Sequence, residues 1–378
     1  MTMFFAIFPL CYFFLSGPKE PFFQPQLIDD RVDAGYSIAI GDVDGDGKPD
    51  VLLADGRVFA WYRNGDWKKF ILAENLGEQD QTCIAARDID GDGKAEVAVG
   101  AGTVYYLERP ENPTARWSPI RLHGGSGAHS IRWAEALPGR FHLVVLSLPS
   151  ESNKANRGPD MKVTAYERPD DPRQEWPQWT VGQSARATHS LGIGRDGQGE
   201  SVYVSNEAGV QIFHYKKGKW RPGRSRQGQD KGKSLGEVHM GSAGDATPIM
   251  AAIEPVHGNE VTVYVPRKEG ASLSQADRVV LDEDLHEACA LAVADFIGQG
   301  RDQVVAGWRK PDKNGRVGIK LYTPFNSLWE AWNISLVDGG DMSCEDLTVA
   351  DLNNDGLPDI VAVGSDSHNL KIYWNRSE

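Results

Sequence analysis

Apolar and polar residues along this chain alternate in short blocks, with no sustained 3.6-residue stripe of the kind an amphipathic helix needs. Three segments set the pattern: SIAIGDVDGDGKPDVLLADGRVFAWYRN (37–64), CIAARDIDGDGKAEVAVGAGTVYYLE (83–108) and DLTVADLNNDGLPDIVAVGSDSHNLKIYWN (346–375). Each reads as strand, acidic loop, strand, tight turn, strand, because four to six β-branched or small apolar residues are bounded by Asp and Gly turn signals. Weaker copies begin at Ser130, Ser190, Gly236 and Cys289, which makes seven units of about 45 to 55 residues. A Trp-led or β-branched run follows most units: WKKFIL (67–72), WSPIRL (117–122), WPQWTV (176–181), WRP at 220, DRVVL (277–281) and WEAWNISLV (329–337). These six runs predict a fourth, outer strand. The seventh unit has none of its own, while PFFQPQLI (21–28) precedes the first unit without an inner strand. The arithmetic predicts an all-β, seven-bladed β-propeller over 21–378 whose N-terminal strand closes the last blade and removes an open sheet edge.

Composition narrows the partners. Of 378 residues, 40 are Lys or Arg and 53 are Asp or Glu, a net charge of −13, with 40% hydrophobic residues. A chain of this balance buries a core, and its acidity argues against nucleic acid and against adhesion to an anionic membrane surface. Residues 1–17 stand apart. Met3 to Leu15 carry no charge and are too few to span a bilayer, but suit the apolar core of a signal peptide. We therefore expect export to a periplasmic or extracellular space, with Cys11 leaving a lipid anchor open. Cys83, Cys289 and Cys344 lie in apolar stretches and read as buried thiols.

The acidic loops carry metal chemistry. Asp42, Asp44, Asp46 and Asp50 place carboxylates at positions 1, 3, 5 and 9, with the Lys48 carbonyl at position 7. Asp88, Asp90, Asp92, Lys94 and Glu96 repeat the spacing, as do Asp351, Asn353, Asp355, Leu357 and Asp359. Carboxylates crowded at alternate positions of a Gly-containing loop repel one another unless a hard cation sits among them, and oxygen ligands in this number suit Ca²⁺. Position 12 is Leu53, Val99 or Ala362 where an EF-hand has Glu, and strands flank the loops, so an EF-hand is excluded. Up to three structural calcium ions are expected. The corresponding stretches 194–200 and 295–301 keep too few oxygens to bind tightly.

In a four-stranded blade these loops occupy one face of the ring. The other face receives the residues just before the innermost strands and the turns between strands two and three. That set includes Tyr36, His129, His189, His286, Glu287, Glu345 and Asp346, together with Glu254, His257, His368, and Lys154, Arg157 and Arg309 on two longer loops. Polar, titratable groups thus converge on one mouth, where imidazoles and carboxylates can exchange protons and cationic side chains can steady developing negative charge. His129, His189, Glu254, His257 and His286 are the candidate catalytic groups. Tyr36, Lys154, Arg157, Glu287, Arg309, Glu345 and Asp346 are the candidate binding groups.

The loops and unit pattern resemble FG-GAP/VCBS-type propeller repeats. FQPQLIDDRVDAGY (23–36), GAHSIR (127–132), RPDDPRQEW (168–176), ATHSLGI (187–193) and EPVHGNEVTVY (254–264) resemble, in the same order, the propeller portion of fungal aldos-2-ulose dehydratase. That family removes water from sugar uloses such as anhydrofructose and glucosone. The resemblance implies His129 as the base, with His189, Glu254 and His257 nearby, and a small sugar or oligosaccharide as partner. The second unit (TCIAARD) has no matching histidine, and the family's cupin-bearing region has no counterpart in these 378 residues, which leaves the later isomerase step open. Three readings follow: a carbohydrate lyase or dehydratase acting by β-elimination, a non-catalytic calcium-stabilised propeller that binds a glycan or protein through the same mouth, and a hydrolase using the convergent carboxylates.

Overall fold

The computed structural model describes residues 20–77, 82–125, 127–147, 161–184, 190–196, 199–206, 209–223, 226–227, 235–244, 247–266, 273–325, 329 and 331–377. Seven antiparallel sheets follow one another around a ring, each blade running outward from its innermost strand. The innermost strands are Ser37–Gly41, Thr82–Arg87, Ala128–Leu137, Leu191–Asp196, Val238–Ser242, Ala288–Ala294 and Cys344–Ala350, in blades 1 to 7. The strand Phe23–Asp29 pairs antiparallel with Asn369–Asn375 and completes blade 7, as the count of outer strands requires. No α-helix occurs among the described residues, so none there is long and apolar enough to cross a membrane. The leader-like segment 1–17 lies outside the described residues.

The second strand of a blade is sandwiched between neighbouring blades on both faces, which is why its sequence is a nearly continuous apolar run. Asp50–Asp55, Glu96–Ala101, Gln303–Trp308 and Asp359–Gly364 are buried at every position. The core is a string of inter-blade clusters; between blades 1 and 2, for example, Leu52 and Trp61 pack with Val97 and Leu107. Each such side chain contributes about 1.5–3 kcal/mol through burial. Acid–tyrosine–lysine contacts rivet successive blades near the outer rim. Asp29, at the end of the closing strand, accepts from Tyr62 at 2.7 Å and Lys69 at 2.9 Å in blade 1. Asp282 of blade 5 does the same with Tyr322 and Lys320, and Asp338 of blade 6 with Tyr373 and Lys371.

Tryptophans ahead of the outer strands brace the long loops on the acidic face. In RPENPTARW (109–117) and RPDDPRQEW (168–176) the indole donates to the proline carbonyl four residues earlier, Trp117 to Pro113 at 3.0 Å and Trp176 to Pro172 at 2.9 Å. Cys83, Cys289 and Cys344 are buried free thiols, and the Cys289 thiol donates to the Cys344 carbonyl at 3.3 Å.

Candidate functional site

The acidic loops fold around their first aspartate. Asp42 accepts the amides of Gly45 and Gly47 at 2.7 Å, and Asp88 those of Gly91 and Gly93 at 2.7 and 3.0 Å. Gly45, Gly47, Gly91 and Gly93 all have φ near +80°, a left-handed conformation that other residues rarely adopt. The residue at position 9 anchors the loop to the sheet: Asp50 accepts from Val43 and Asn64 at 2.8 Å, and Asp359 from Leu352 at 3.0 Å and Asn375 at 2.8 Å.

This folding brings carboxylate oxygens of Asp42, Asp44 and Asp50 within 4.8 Å of one another, and likewise those of Asp88, Asp90 and Glu96. Burial, with the neighbouring carboxylates adding to it, raises Asp50 and Glu96 to about 7 and Asp359 to about 6. Asp44 is raised for the same reason, and its Oδ1 is buried without a hydrogen-bond partner. An orphaned Asp44 oxygen beside Asp42 and Asp50 is a group of oxygen donors that could hold a hard divalent cation. The third loop differs. Asn353 takes the place of a carboxylate there, accepting from the Asp355 amide at 3.0 Å and donating to the Asp355 side chain at 2.8 Å. At the weak copy in blade 6, Asp295 still accepts the amides of Gln299 and Gly300, but Gln303 holds position 9. The skeleton survives there without the charge.

The opposite mouth is assembled from residues far apart in sequence. His129 occupies a β-bulge at the start of the blade 3 innermost strand, and the same irregularity recurs at Cys289 in blade 6 and at Glu345 in blade 7. A bulge adds an unpaired residue and re-aims its side chain. Arg309, on the turn after the second strand of blade 6, bonds Glu287 at 2.9 Å and both oxygens of Glu345 at 2.9 Å; Ser365 adds a hydrogen bond to Glu345 at 3.1 Å. His257 lies within the field of Arg309, Glu345 and Glu287. Burial and then Arg309 lower its pKa, while burial and then His257 lower that of His129. Both imidazoles are thereby favoured in the neutral form.

Other sequence candidates sit differently. Glu254 is buried and turned into its own blade, accepting from Thr262 at 2.8 Å, from Tyr264, and from Arg278 at 2.8 and 3.1 Å. His286 is exposed, with Nδ1 3.0 Å from the Pro311 carbonyl, and Tyr36 is half-buried ahead of blade 1 with its amide donating to Ala54. His368 Nδ1 lies 2.9 Å from the Val32 carbonyl and joins blade 7 to the start of blade 1. Asp346 accepts the Ile38 amide at 2.8 Å and is raised to about 6 by burial. His189, Lys154 and Arg157 lie outside the described residues.

Below the mouth, the channel holds groups that spacing alone did not single out: Arg132, Ser190, Glu237 and His239. The signal was the alternation in GEVHM (236–240), where two titratable residues flank a buried Val238 on an innermost strand. A separate cavity of about 300 Å³ opens at the exposed rim between blades 2 and 3, lined in part by Arg121, His123, Arg173 and Glu175. Its Arg173 is bonded to Glu108 at 2.6 Å.

Residues 42–99 match the FG-GAP-like repeat family, and residues 100–267 match the family described as aldos-2-ulose dehydratase, beta-propeller domain. The first match contains both carboxylate clusters; the second contains His129, Arg132, Glu237 and His257. No curated protein matches the chain. Two solved structures share the fold: a chain of the mitotic checkpoint complex (TM-score 0.56, 12% identity, 99% of this chain and 98% of that one) and a chain of BBS1N in complex with ARL6DN, soaked with lead (TM-score 0.57, 14% identity, 93% and 94%). Identities this low speak to fold alone. The chain is thus a seven-bladed β-propeller in which residues 42–99 are similar to the FG-GAP-like repeat and residues 100–267 to the propeller domain of aldos-2-ulose dehydratase.

Proposed function

We propose that the protein is an exported carbohydrate lyase that eliminates water from a sugar ulose at the histidine mouth, on a ring held by structural calcium at the opposite face. The observation that carries this reading is His129: an imidazole kept neutral by burial, set in a bulge at the mouth, inside the segment that matches the dehydratase propeller. A carbonyl acidifies the neighbouring C–H, and a neutral imidazole abstracts that proton. His257 completes the basic pair. Arg309 is held between Glu287 and Glu345, one guanidinium against two carboxylates, and this cluster offers hydrogen bonds to the hydroxyls of an uncharged sugar. Asp42, Asp44 and Asp50, and Asp88, Asp90 and Glu96, would hold the two best-formed calcium sites, with Asp351, Asn353, Asp355 and Asp359 as a weaker third. Bound calcium would offset carboxylate repulsion and fix the loops, a structural role remote from the chemistry.

The test is incubation with anhydrofructose, glucosone and related aldos-2-uloses while enone absorbance in the ultraviolet is followed. Enone formation that falls at least about 100-fold in His129→Ala supports the reading. Tight glycan binding with no turnover across the panel would favour the non-catalytic alternative.

A further inference from the structure

The ring has a second tier beneath His129. The residue before the first buried aliphatic of the innermost strand is Ser130 in blade 3, Ser190 in blade 4, Glu237 in blade 5 and Asp346 in blade 7. Two positions deeper stand Arg132 and His239, while blades 1, 2, 4 and 6 have Ala39, Ala85, Gly192 and Ala292 at that level. Small residues on four blades leave the axis open for the long side chains of the others. Ser190 donates to Glu237 Oε2 at 2.9 Å, and His239 Nε2 lies 3.8 Å from the same oxygen. The Glu237 and His239 side chains keep 23% and 35% exposure although protein surrounds them, as expected of groups lining a channel. Arg132 bonds the Ile131 carbonyl at 2.9 Å and forms no ion pair with any described residue.

We propose that Glu237 is the acid of the elimination, protonating the departing hydroxyl while His129, about one residue nearer the mouth, accepts the carbon-bound proton. This rests on the lyase reading above. The C–H bond beside the carbonyl breaks and its electron pair becomes the new C=C bond. The C–O bond one carbon further breaks, and the leaving oxygen takes the Glu237 proton and departs as water. The imidazolium then returns its proton through solvent to the Glu237 carboxylate, which Arg132 steadies in the interval. No oxidant or reductant is consumed. Ionisation agrees with the geometry. Burial raises Glu237 to about 7, opposed by the Ser190 hydrogen bond and by Arg132 and reinforced by Asp346. His239, Tyr203 and Cys289 also face it; burial, then Arg132, lowers His239 to about 4, so it stays neutral. An acid held up near 7 and a base held below 6.5 are both in their working forms near neutral pH.

The experiment compares two uloses that differ only in the leaving group, hydroxyl or fluoride, since fluoride departs without a proton. Wild type eliminates both. Glu237→Gln should lose about 100-fold or more with the hydroxyl substrate and stay within about threefold with the fluoride, and Glu237→Asp should recover part of the loss. The alkaline limb of the wild-type profile near pH 7 should vanish with fluoride as leaving group. If Glu237→Gln does not fold, judged by its thermal melt, carboxyl NMR of the wild type decides: titration near 7 supports the proposal and titration near the ordinary value of about 4.3 overturns it. Equal losses on both substrates, or none on either, overturn the role of Glu237 while the lyase reading stands. A wild type that eliminates neither substrate overturns both.

Discussion

The two faces of the ring hold charge in opposite ways. At the rim of the histidine mouth the cations have protein partners: Arg309 sits between Glu287 and Glu345, and Lys310 bonds Asp366 at 2.7 Å. On the acidic face, Asp50, Glu96 and Asp359 are pushed up by burial and have too little cationic company of their own. Blade 4 offers a contrast. Its register puts Ser201 where Asp50 stands, and on the shorter loop one residue earlier Arg87 takes the Glu200 carboxylate in a fork at 2.9 and 3.0 Å, with Arg195 at 3.3 Å. Burial opposes ionisation there too, but the arginines prevail and the Glu200 pKa is lowered. Where two arginines bond the acid directly its pKa falls; where burial and neighbouring carboxylates outweigh the nearest cation, as at Glu96 beside Arg109, it rises. At the mouth, burial lowers the pKa values of His129 and His257 and favours neutral imidazoles, the form that can accept a proton.

The largest expected effect removes the distinction altogether. Deleting residues 20–29 takes away the outer strand of blade 7 and the Asp29 rivet to blade 1, opening the ring. We expect loss of cooperative unfolding or a melting temperature lowered by more than about 10 °C. An unchanged melt would show that closure matters little.

Next in size, the faces should separate under single substitutions. His129→Ala should cost about 100-fold or more in kcat/KM with little change in the calcium response. Asp44→Asn should do the reverse, reducing calcium-dependent stabilisation by about 1–3 kcal/mol while leaving kcat within about twofold. Asp44 is the cleaner choice because Asp50 also holds the Val43 and Asn64 amides. Loss of turnover in Asp44→Asn at full folding would couple the faces.

A pH series sharpens the acidic side. Without metal, acids raised in the folded state stabilise the fold fully below their unfolded values near 4, and that contribution is lost as pH rises to about 7. Bound calcium keeps them ionised. The difference in melting temperature with and without calcium should therefore widen from pH 5 to pH 8. A constant difference would separate the loops from metal binding. The smallest effect is expected at the weak blade 6 copy, where Asp295→Asn should leave calcium affinity unchanged by titration calorimetry.

The faces also differ in how far sequence reveals them. An acidic loop is local: five candidate ligand positions fit in nine residues, so spacing alone announces Asp42 to Asp50. The ring was legible for a related reason, since one strand pattern recurs seven times and the surplus N-terminal run, PFFQPQLI, has only one place to go. The mouth draws on blades 3, 5, 6 and 7, and its members converge only when the ring closes. Face assignment by loop position found His129, His257, Arg309 and Glu345. It did not show that Glu254 turns inward to Arg278, because a strand-end carboxylate reads the same whichever way it points. Arg132, Glu237 and His239 were hidden within strands whose alternation reads as ordinary packing. RPDDPRQEW, one of the segments that carry the family likeness, turns out to share its brace with RPENPTARW, so that part of the likeness reflects loop packing on the acidic face.

The most direct measurement of the division between faces is one enone-absorbance assay, on aldos-2-uloses with calcium present, run side by side on wild type, His129→Ala and Asp44→Asn. The account predicts turnover by wild type and Asp44→Asn, and at least about a 100-fold loss in His129→Ala. Undiminished turnover in His129→Ala, or turnover lost in Asp44→Asn alone, would contradict it.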